Sequence, residues 1–271
     1  MSSQAVHSTL SDALGSNGSH LVSFVGAGGK TTALQRLSVE LVTAGGRIAV
    51  TTTTAMFAHQ LTALGPMILR DCEDTSLSSR CGSALRRPGI VALAGSRRDG
   101  GKVKGLAPTE VDALWLARVA DSIVVEADGS RGLPLKAFGE AEPQLPAGST
   151  LVVVVAGLDV LDRPLDEAHV HRSEVLQSVL RVSRGCTVTP RLVGAAVALQ
   201  VARVRESTPE AQVVVLLNKA DTDDLEGRGV EASDHLLAAA EDGESVQGTA
   251  GRPDRIVVGS LWRGVYRTVH G

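Results

Sequence analysis

The chain has 271 residues, 43% of them apolar, 21% charged and 2% aromatic, with a formal net charge of −3. That apolar content is enough for one large core, and the near-balanced charge excludes a broad basic face for nucleic acid or an anionic membrane. Residues 1–18 are polar and lack the continuous apolar core of a secretory leader, and no apolar run approaches the ~20 residues that span a bilayer; a single cytoplasmic domain is expected.

Leu21–Val25 is an apolar run that reads as a buried strand. It leads directly into Gly26-Ala27-Gly28-Gly29-Lys30-Thr31-Thr32. A glycine-rich turn between a strand and a helix lets backbone N–H groups close around phosphate, with the positive end of the helix dipole behind them. Lys30 is then placed for the β- and γ-phosphates of a nucleoside triphosphate, and the Thr31 hydroxyl for Mg²⁺. Leu34, Leu37 and Leu41 recur at helical spacing, and Gly45-Gly46 supplies a stop. The phosphate-loop consensus has a glycine six residues before its lysine; here that residue is Phe24, so the loop is compact.

The second expected strand, Ile48–Thr51, ends in Thr51-Thr52-Thr53-Thr54. Ligands of open α/β sheets lie beyond the carboxyl ends of strands, so Thr53 or Thr54 is a candidate hydroxyl for Mg²⁺ or the γ-phosphate. Cys72, Cys81 and Cys186 are odd in number and lack C-x-x-C spacing, and are read as ordinary thiols. After strand Ile90–Ala94, the run Gly95 to Gly101 reads as a hairpin tip, with Lys102 to Lys104 returning as an antiparallel edge. Pro108-Thr109-Glu110 opens a helix that continues through Leu114 and Leu116.

The strand Ser122–Glu126 ends at two carboxylates, Glu126 and Asp128, one residue apart. In a straight strand they share a face, so one serves Mg²⁺ and the other the water or γ-phosphate, in an order the residues leave open. Residues 129–150 form a long Pro- and Gly-rich segment of the kind that is functional in compact domains. Within it, Arg131 and Lys136 either stabilise transferred phosphoryl charge or bind an anionic cofactor or partner. Leu151–Ala156 is the next strand. His169 and His171 alternate, a weak metal signal; His171 and Arg172 read better as polar contacts to phosphate or cofactor.

Strand Val213–Leu217 is followed by Asn218-Lys219-Ala220-Asp221, the pattern that selects guanine. The aspartate accepts from the N1–H and exocyclic amine, the asparagine faces N7, and the lysine stem lies along the ring. Adenine lacks those donors and would leave Asp221 unpaired. Residues 241–254 read as an exposed loop before the last strand, Ile256–Val258.

The alternation of strands and helices specifies an α/β fold, a mostly parallel sheet with helices on both faces, of phosphate-loop NTPase type. With the Thr run, Glu126-Ala127-Asp128-Gly129-Ser130-Arg131-Gly132-Leu133-Pro134-Leu135-Lys136 and Asn-Lys-x-Asp assembled, the chain resembles the YqeC family. Val103-Lys104-Gly105-Leu106, Glu142-Pro143, Gly157-Leu158-Asp159 and His171-Arg172 extend the likeness over nearly the whole chain. The resemblance implies an accessory protein of selenium-dependent molybdenum hydroxylases, partnered by such a hydroxylase or its cofactor-maturation proteins.

The leading reading is a Mg²⁺-dependent, GTP-favouring accessory protein and slow NTPase. Its candidate catalytic residues are Lys30, Asp128 and Arg131. Nucleotide binding falls to Gly26, Ala27, Gly28, Gly29, Lys30, Thr31, Thr32, Asn218, Lys219 and Asp221, and metal binding to Thr31, Thr53, Glu126 and Asp128. A small-molecule kinase or ligase shares the same phosphate cradle, and a nucleotide-stabilised binding module without turnover is the third reading.

Overall fold

The computed structural model describes residues 5–70, 76–241 and 251–271. In chain order the strands are β1 (Val6–His7), β2 (Leu21–Gly26), β3 (Arg47–Thr52), β4 (Met56–Phe57), β5 (Met67–Leu69), β6 (Gly89–Ala94) and β7 (Lys102–Val103), then β8 (Ser122–Glu126), β9 (Leu135–Lys136), β10 (Leu151–Gly157), β11 (Val170–His171), β12 (Gln212–Asn218), β13 (Arg255–Ser260) and β14 (Val265–His270). The helices are α1 (Leu10–Leu14), α2 (Lys30–Thr43), α3 (Ala58–Thr62), α4 (Leu77–Ala84), α5 (Pro108–Leu116), α6 (Ser173–Leu180), α7 (Pro190–Ser207) and α8 (Asp223–Glu241).

Among the described residues, ten strands form the main sheet in the order β1-β14-β13-β12-β10-β2-β8-β3-β6-β5. From β13 to β5 every pairing is parallel, and β14 and β1 close one edge antiparallel. Interior parallel strands are covered on both faces and therefore need apolar side chains at successive positions. β10, Leu-Val-Val-Val-Val-Ala-Gly, is buried at every residue.

The two faces are covered by different helices. Leu10 and Leu14 of α1 and Leu34 and Leu37 of α2 pack with Val22, Phe24, Val153 and Val155. On the other face, Val111 and Leu114 of α5, Val193, Val197 and Val201 of α7 and Leu236 of α8 pack with Leu21, Val25, Val152 and Val154. Helix ends follow local chemistry. Glu110 Oε2 accepts from Ala107 N (2.7 Å) at the start of α5, and Thr189 Oγ1 accepts from Leu192 N (3.3 Å) at the start of α7. Gly45 N and Gly46 N close the end of α2 on Val42 O and Leu41 O.

Three expectations are modified. The hairpin at 95–104 forms, with Lys104 N donating to Ser96 O and Arg98 N to Lys102 O (both 2.8 Å). Its returning strand β7 pairs with β4, however, so the antiparallel edge of the main sheet lies at the opposite end. Residues 5–18 are not a loose polar lead: β1 pairs with β14, and Leu10, Ala13 and Leu14 are fully buried. In the stretch 241–254, Glu241 belongs to α8 and Gly251 and Pro253 are buried; residues 242–250 lie outside the described residues. Cys72 also lies outside them, while Cys81 is buried and burial pushes its thiol up to about 11, as suits an inert core residue. No helix among the described residues is long and apolar enough to cross a membrane.

Leu37 sits fully buried between α2 and the sheet, whereas Leu116 is 80% exposed. Leu37→Ala is expected to lower unfolding stability by about 3 kcal/mol and Leu116→Ala by less than ~0.5 kcal/mol, read from urea midpoints at a common slope.

Candidate functional site

β2 runs between β10 and β8, so the turn that follows it is walled by backbone on both sides. Ala27 N donates to Val155 O (2.8 Å) and Gly28 N to Leu133 O (3.1 Å). Gly28 has φ +79° and Gly29 φ +131°, conformations that disfavour a side chain. A Cβ on Gly28 would stand 2.2 Å from Gly157 N, and one on Gly29 2.4 Å from Asn218 Nδ2. The glycines therefore permit close contact with β10 and β12 as well as with a phosphate.

Lys30 opens α2 and is 3% exposed. Its ammonium donates to Gly26 O (2.7 Å) and lies 3.1 Å from Asp128 Oδ1. Asp128 is fully buried just beyond β8; Oδ2 accepts from Gly26 N (2.8 Å) and from Lys136 Nζ (3.1 Å). Lys136, itself fully buried, also donates to Gly129 O and Glu142 Oε2 (both 2.6 Å). Glu142 in turn receives Arg172 Nη1 at 2.6 Å. A continuous ionic chain thus runs Lys30, Asp128, Lys136, Glu142, Arg172. Burial opposes ionisation of Glu142, yet the hydrogen bonds from Arg172 and Lys136 outweigh it and hold its carboxyl below the ordinary range.

Glu126 and Asp128 converge on the loop but face different partners. Glu126 Oε2 accepts the Thr31 hydroxyl at 2.7 Å and lines an open cleft of about 1110 Å³, which Asp128 does not line. Burial is the main cause that raises the Glu126 carboxyl, with Lys30 and Thr31 pulling against it. Two hard oxygens at the cleft rim, beside a loop shaped for phosphate, form the donor set that suits Mg²⁺, which takes one or two protein oxygens and completes its shell with phosphate and water. Asp128 Oδ1 is buried without a hydrogen-bond partner among the described residues, its contact with Lys30 being coulombic in geometry.

Other sequence candidates are distributed differently. The Thr53 hydroxyl donates to Gln144 O (2.8 Å), tying the end of β3 to the segment 129–150, and Thr53 is not in the cleft lining; Thr54 N donates to Thr52 Oγ1 (3.1 Å). Arg131 is exposed on the cleft wall with φ +52°. His169 Nδ1 pairs with Asp166 Oδ1 (2.8 Å), whereas His171 lines the cleft, so the two histidines do not converge. Among the described residues no cluster of three or more His, Cys, Asp or Glu side chains is arranged for a metal. Lys136 was expected to be a loop cation; its burial follows from the short parallel pairing of β9 with β11, in which Lys136 stands opposite His171.

At the end of β12, Asn218 Nδ2 donates to Gly28 O (2.8 Å) and Asn218 Oδ1 accepts from Leu261 N (3.1 Å). The asparagine thereby ties the phosphate loop to the end of β13. Asp221 is exposed and accepts the Ser260 hydroxyl at 2.5 Å, while Lys219 has φ +67° and pairs with Asp159 Oδ2 (2.6 Å). Ser260, the last residue of β13, is the partner that brings this strand end to Asp221.

A family model described as YqeC protein matches residues 22–174, which contain the phosphate loop, both carboxylates and the whole ionic chain. An uncharacterised YqeC protein of Escherichia coli (strain K12) is 38% identical over 152 residues, 56% of this chain and 57% of its own length, so the match spans little more than half of that relative. Among solved structures, the apo form of PAB0955, a GTPase from Pyrococcus abyssi, is similar with 12% identity and a TM-score of 0.34, covering 90% of this chain and 91% of its own. Asn218 to Asp221 lie outside the stretch that the family model matches.

Two substitutions test this geometry. Lys136→Met leaves the buried Asp128 and the part-buried Glu142 short of a cation and is expected to cost about 3 kcal/mol in urea unfolding. Glu126 titrates above its ordinary value of 4.5 in the fold. Its contribution is therefore fully present below the unfolded pKa and is lost as pH rises through the raised folded value. Glu126→Gln is expected to raise the melting temperature of the nucleotide-free protein near neutral pH, with the gain shrinking as pH approaches the unfolded pKa; a gain that grows on acidification would refute the assignment.

Proposed function

The chain belongs to the YqeC family, and from that premise we propose that it binds a magnesium nucleoside triphosphate, GTP in preference to ATP, and acts as an accessory protein in maturation of a molybdenum hydroxylase. The observation that carries nucleotide binding is the conjunction at the end of β2: a glycine turn, Lys30, and the Thr31 hydroxyl 2.7 Å from Glu126. Lys30 binds the β- and γ-phosphates, leaving Asp128 to Lys136 and the Gly26 amide. Thr31 and Glu126 hold Mg²⁺, which when bound neutralises charge on the phosphate oxygens.

Guanine selection is supported by Asp221, oriented by the Ser260 hydroxyl, and by Lys219, whose stem borders the cleft. Asn218 acts here by holding the loop that cradles the phosphates against the strand that carries the base contacts. Base identity and phosphate binding are then coupled through one side chain. The client, a selenium-dependent molybdenum hydroxylase, and the step of installing or maintaining its selenium-containing cofactor rest on the family resemblance of residues 126–136 and 171–172. Slow turnover fits a protein whose two nucleotide states are read by a partner.

Calorimetry with Mg²⁺ tests the reading. GTP is expected to bind at least ~100-fold more tightly than ATP, Asp221→Asn to reduce that preference by at least ~10-fold, and Lys30→Ala to remove binding of both. Equal affinity for the two nucleotides, or a preference that survives Asp221→Asn, would overturn guanine selection; retained binding in Lys30→Ala would overturn the phosphate site.

A further inference from the structure

The cleft, at about 1110 Å³, is larger than the roughly 300–1,000 Å³ that one small ligand occupies. The phosphate loop and Glu126 take one end of it. The rest of its lining includes Met56, Phe57 and Lys102, and Arg131, His171 and Arg172.

His171 is the informative residue. It is 9% exposed, lines the cleft, and has no hydrogen-bond partner among the described residues. Its ring nitrogens open onto the cleft rather than into the core, where they are available to a ligand. Burial, and then Arg172, Lys136 and Arg131, push its titration below the ordinary value, with Glu142 alone opposing, so the local field is cationic. Arg172 caps α6 in a left-handed conformation (φ +59°) with no side-chain cap; Val175 N donates to Arg172 O (3.1 Å), which leaves the amides of Ser173 and Glu174 without a side-chain cap. Arg131, exposed and also left-handed, lines the same cleft. Glu167 and Glu174 line the cleft too and limit the cationic region to the corner at His171. The Phe57 ring is 43% exposed with Lys102 Nζ 4.9 Å from its centroid.

We propose that this corner is a second anion site, holding the phosphate group of a phosphorylated organic molecule between His171, Arg131 and the start of α6, with the body of that molecule against Met56 and Phe57. The neutral imidazole donates one hydrogen bond to the phosphate, Arg131 supplies charge, and the uncapped amides complete the cradle. The site shares the cleft with the nucleotide proposed above and binds independently of it.

The test uses the full chain carrying Lys30→Ala, which disables the phosphate loop, titrated by calorimetry with inorganic phosphate and with phenyl phosphate. One phosphate per chain is expected, with phenyl phosphate binding at least ~5-fold more tightly than phosphate, and with His171→Leu or Arg131→Met added, affinity is expected to fall at least ~10-fold. Absence of phosphate binding in Lys30→Ala, or binding indifferent to both added substitutions, overturns the proposal. Because either substitution can disturb folding, the His171 ring proton is followed by NMR in the Lys30→Ala protein. A shift that saturates with phosphate supports the site, and an unmoved resonance refutes it. Phosphate binding at this corner in Lys30→Ala, together with no uptake of GTP by the wild-type chain, would sink the nucleotide reading and leave this one standing.

Discussion

The Asp128 carboxylate is the constraint on which the site depends. It is fully buried, sits one residue beyond β8, and is held by the Gly26 amide and by Lys136 while Lys30 lies against its other oxygen. A carboxylate in that position is tolerable only with its cations in place, and each cation is in turn tolerable only with Asp128 ionised. The loop that follows β2 is thereby fastened to the strand beside it by charge as well as by the sheet ladder. Lys136 passes the constraint outward to Glu142 and Arg172, so the start of α6 is positioned by the same chain of contacts.

Much of this was legible in the residues because it is local. The strand, turn and helix around Lys30 are contiguous, and their apolar spacing and glycines need no long-range information. β8 was legible for the same reason, as were the interior strands β3, β6, β10 and β12, whose unbroken apolar runs suit burial on both faces. The roles of Glu126 and Asp128 were not separable, since strand alternation places both on one face and only the end of β8 at Glu126 lets the chain turn Asp128 inward. Lys136 was invisible as a structural cation because its burial depends on the two-residue pairing of β9 with β11, which has no periodicity to read. The bond from the Thr53 hydroxyl to Gln144 O joins positions 91 residues apart and leaves no trace in the spacing at the strand end. The edge strands β1 and β14 are short or half-exposed, and their pairing is set by the opposite ends of the chain.

Asn218 shows how a motif can be right in position and wider in action than its reading. Spacing marks it as a base contact, yet its amide joins the phosphate loop to the end of β13, two segments that approach only because β12, β10 and β2 lie side by side. Gly29 can have no side chain partly because this amide occupies the space. Gly29 of the loop and Asn218 at the end of β12 are consequently packed against each other.

The order of strands in the sheet also bears on how the molecule comes into being. Leu21 to Gly26 precedes both of its neighbours by about a hundred residues or more, and its closing contacts are remote: Gly26 meets Asp128 across 102 positions and Gly28 meets Asn218 across 190. A central strand with such partners gains little until they exist, because loop closure must precede the contacts that reward it. The phosphate loop is therefore made well before the segments that complete it. In the interval an apolar strand with two open edges waits in the nascent chain, the circumstance in which chaperone protection matters most.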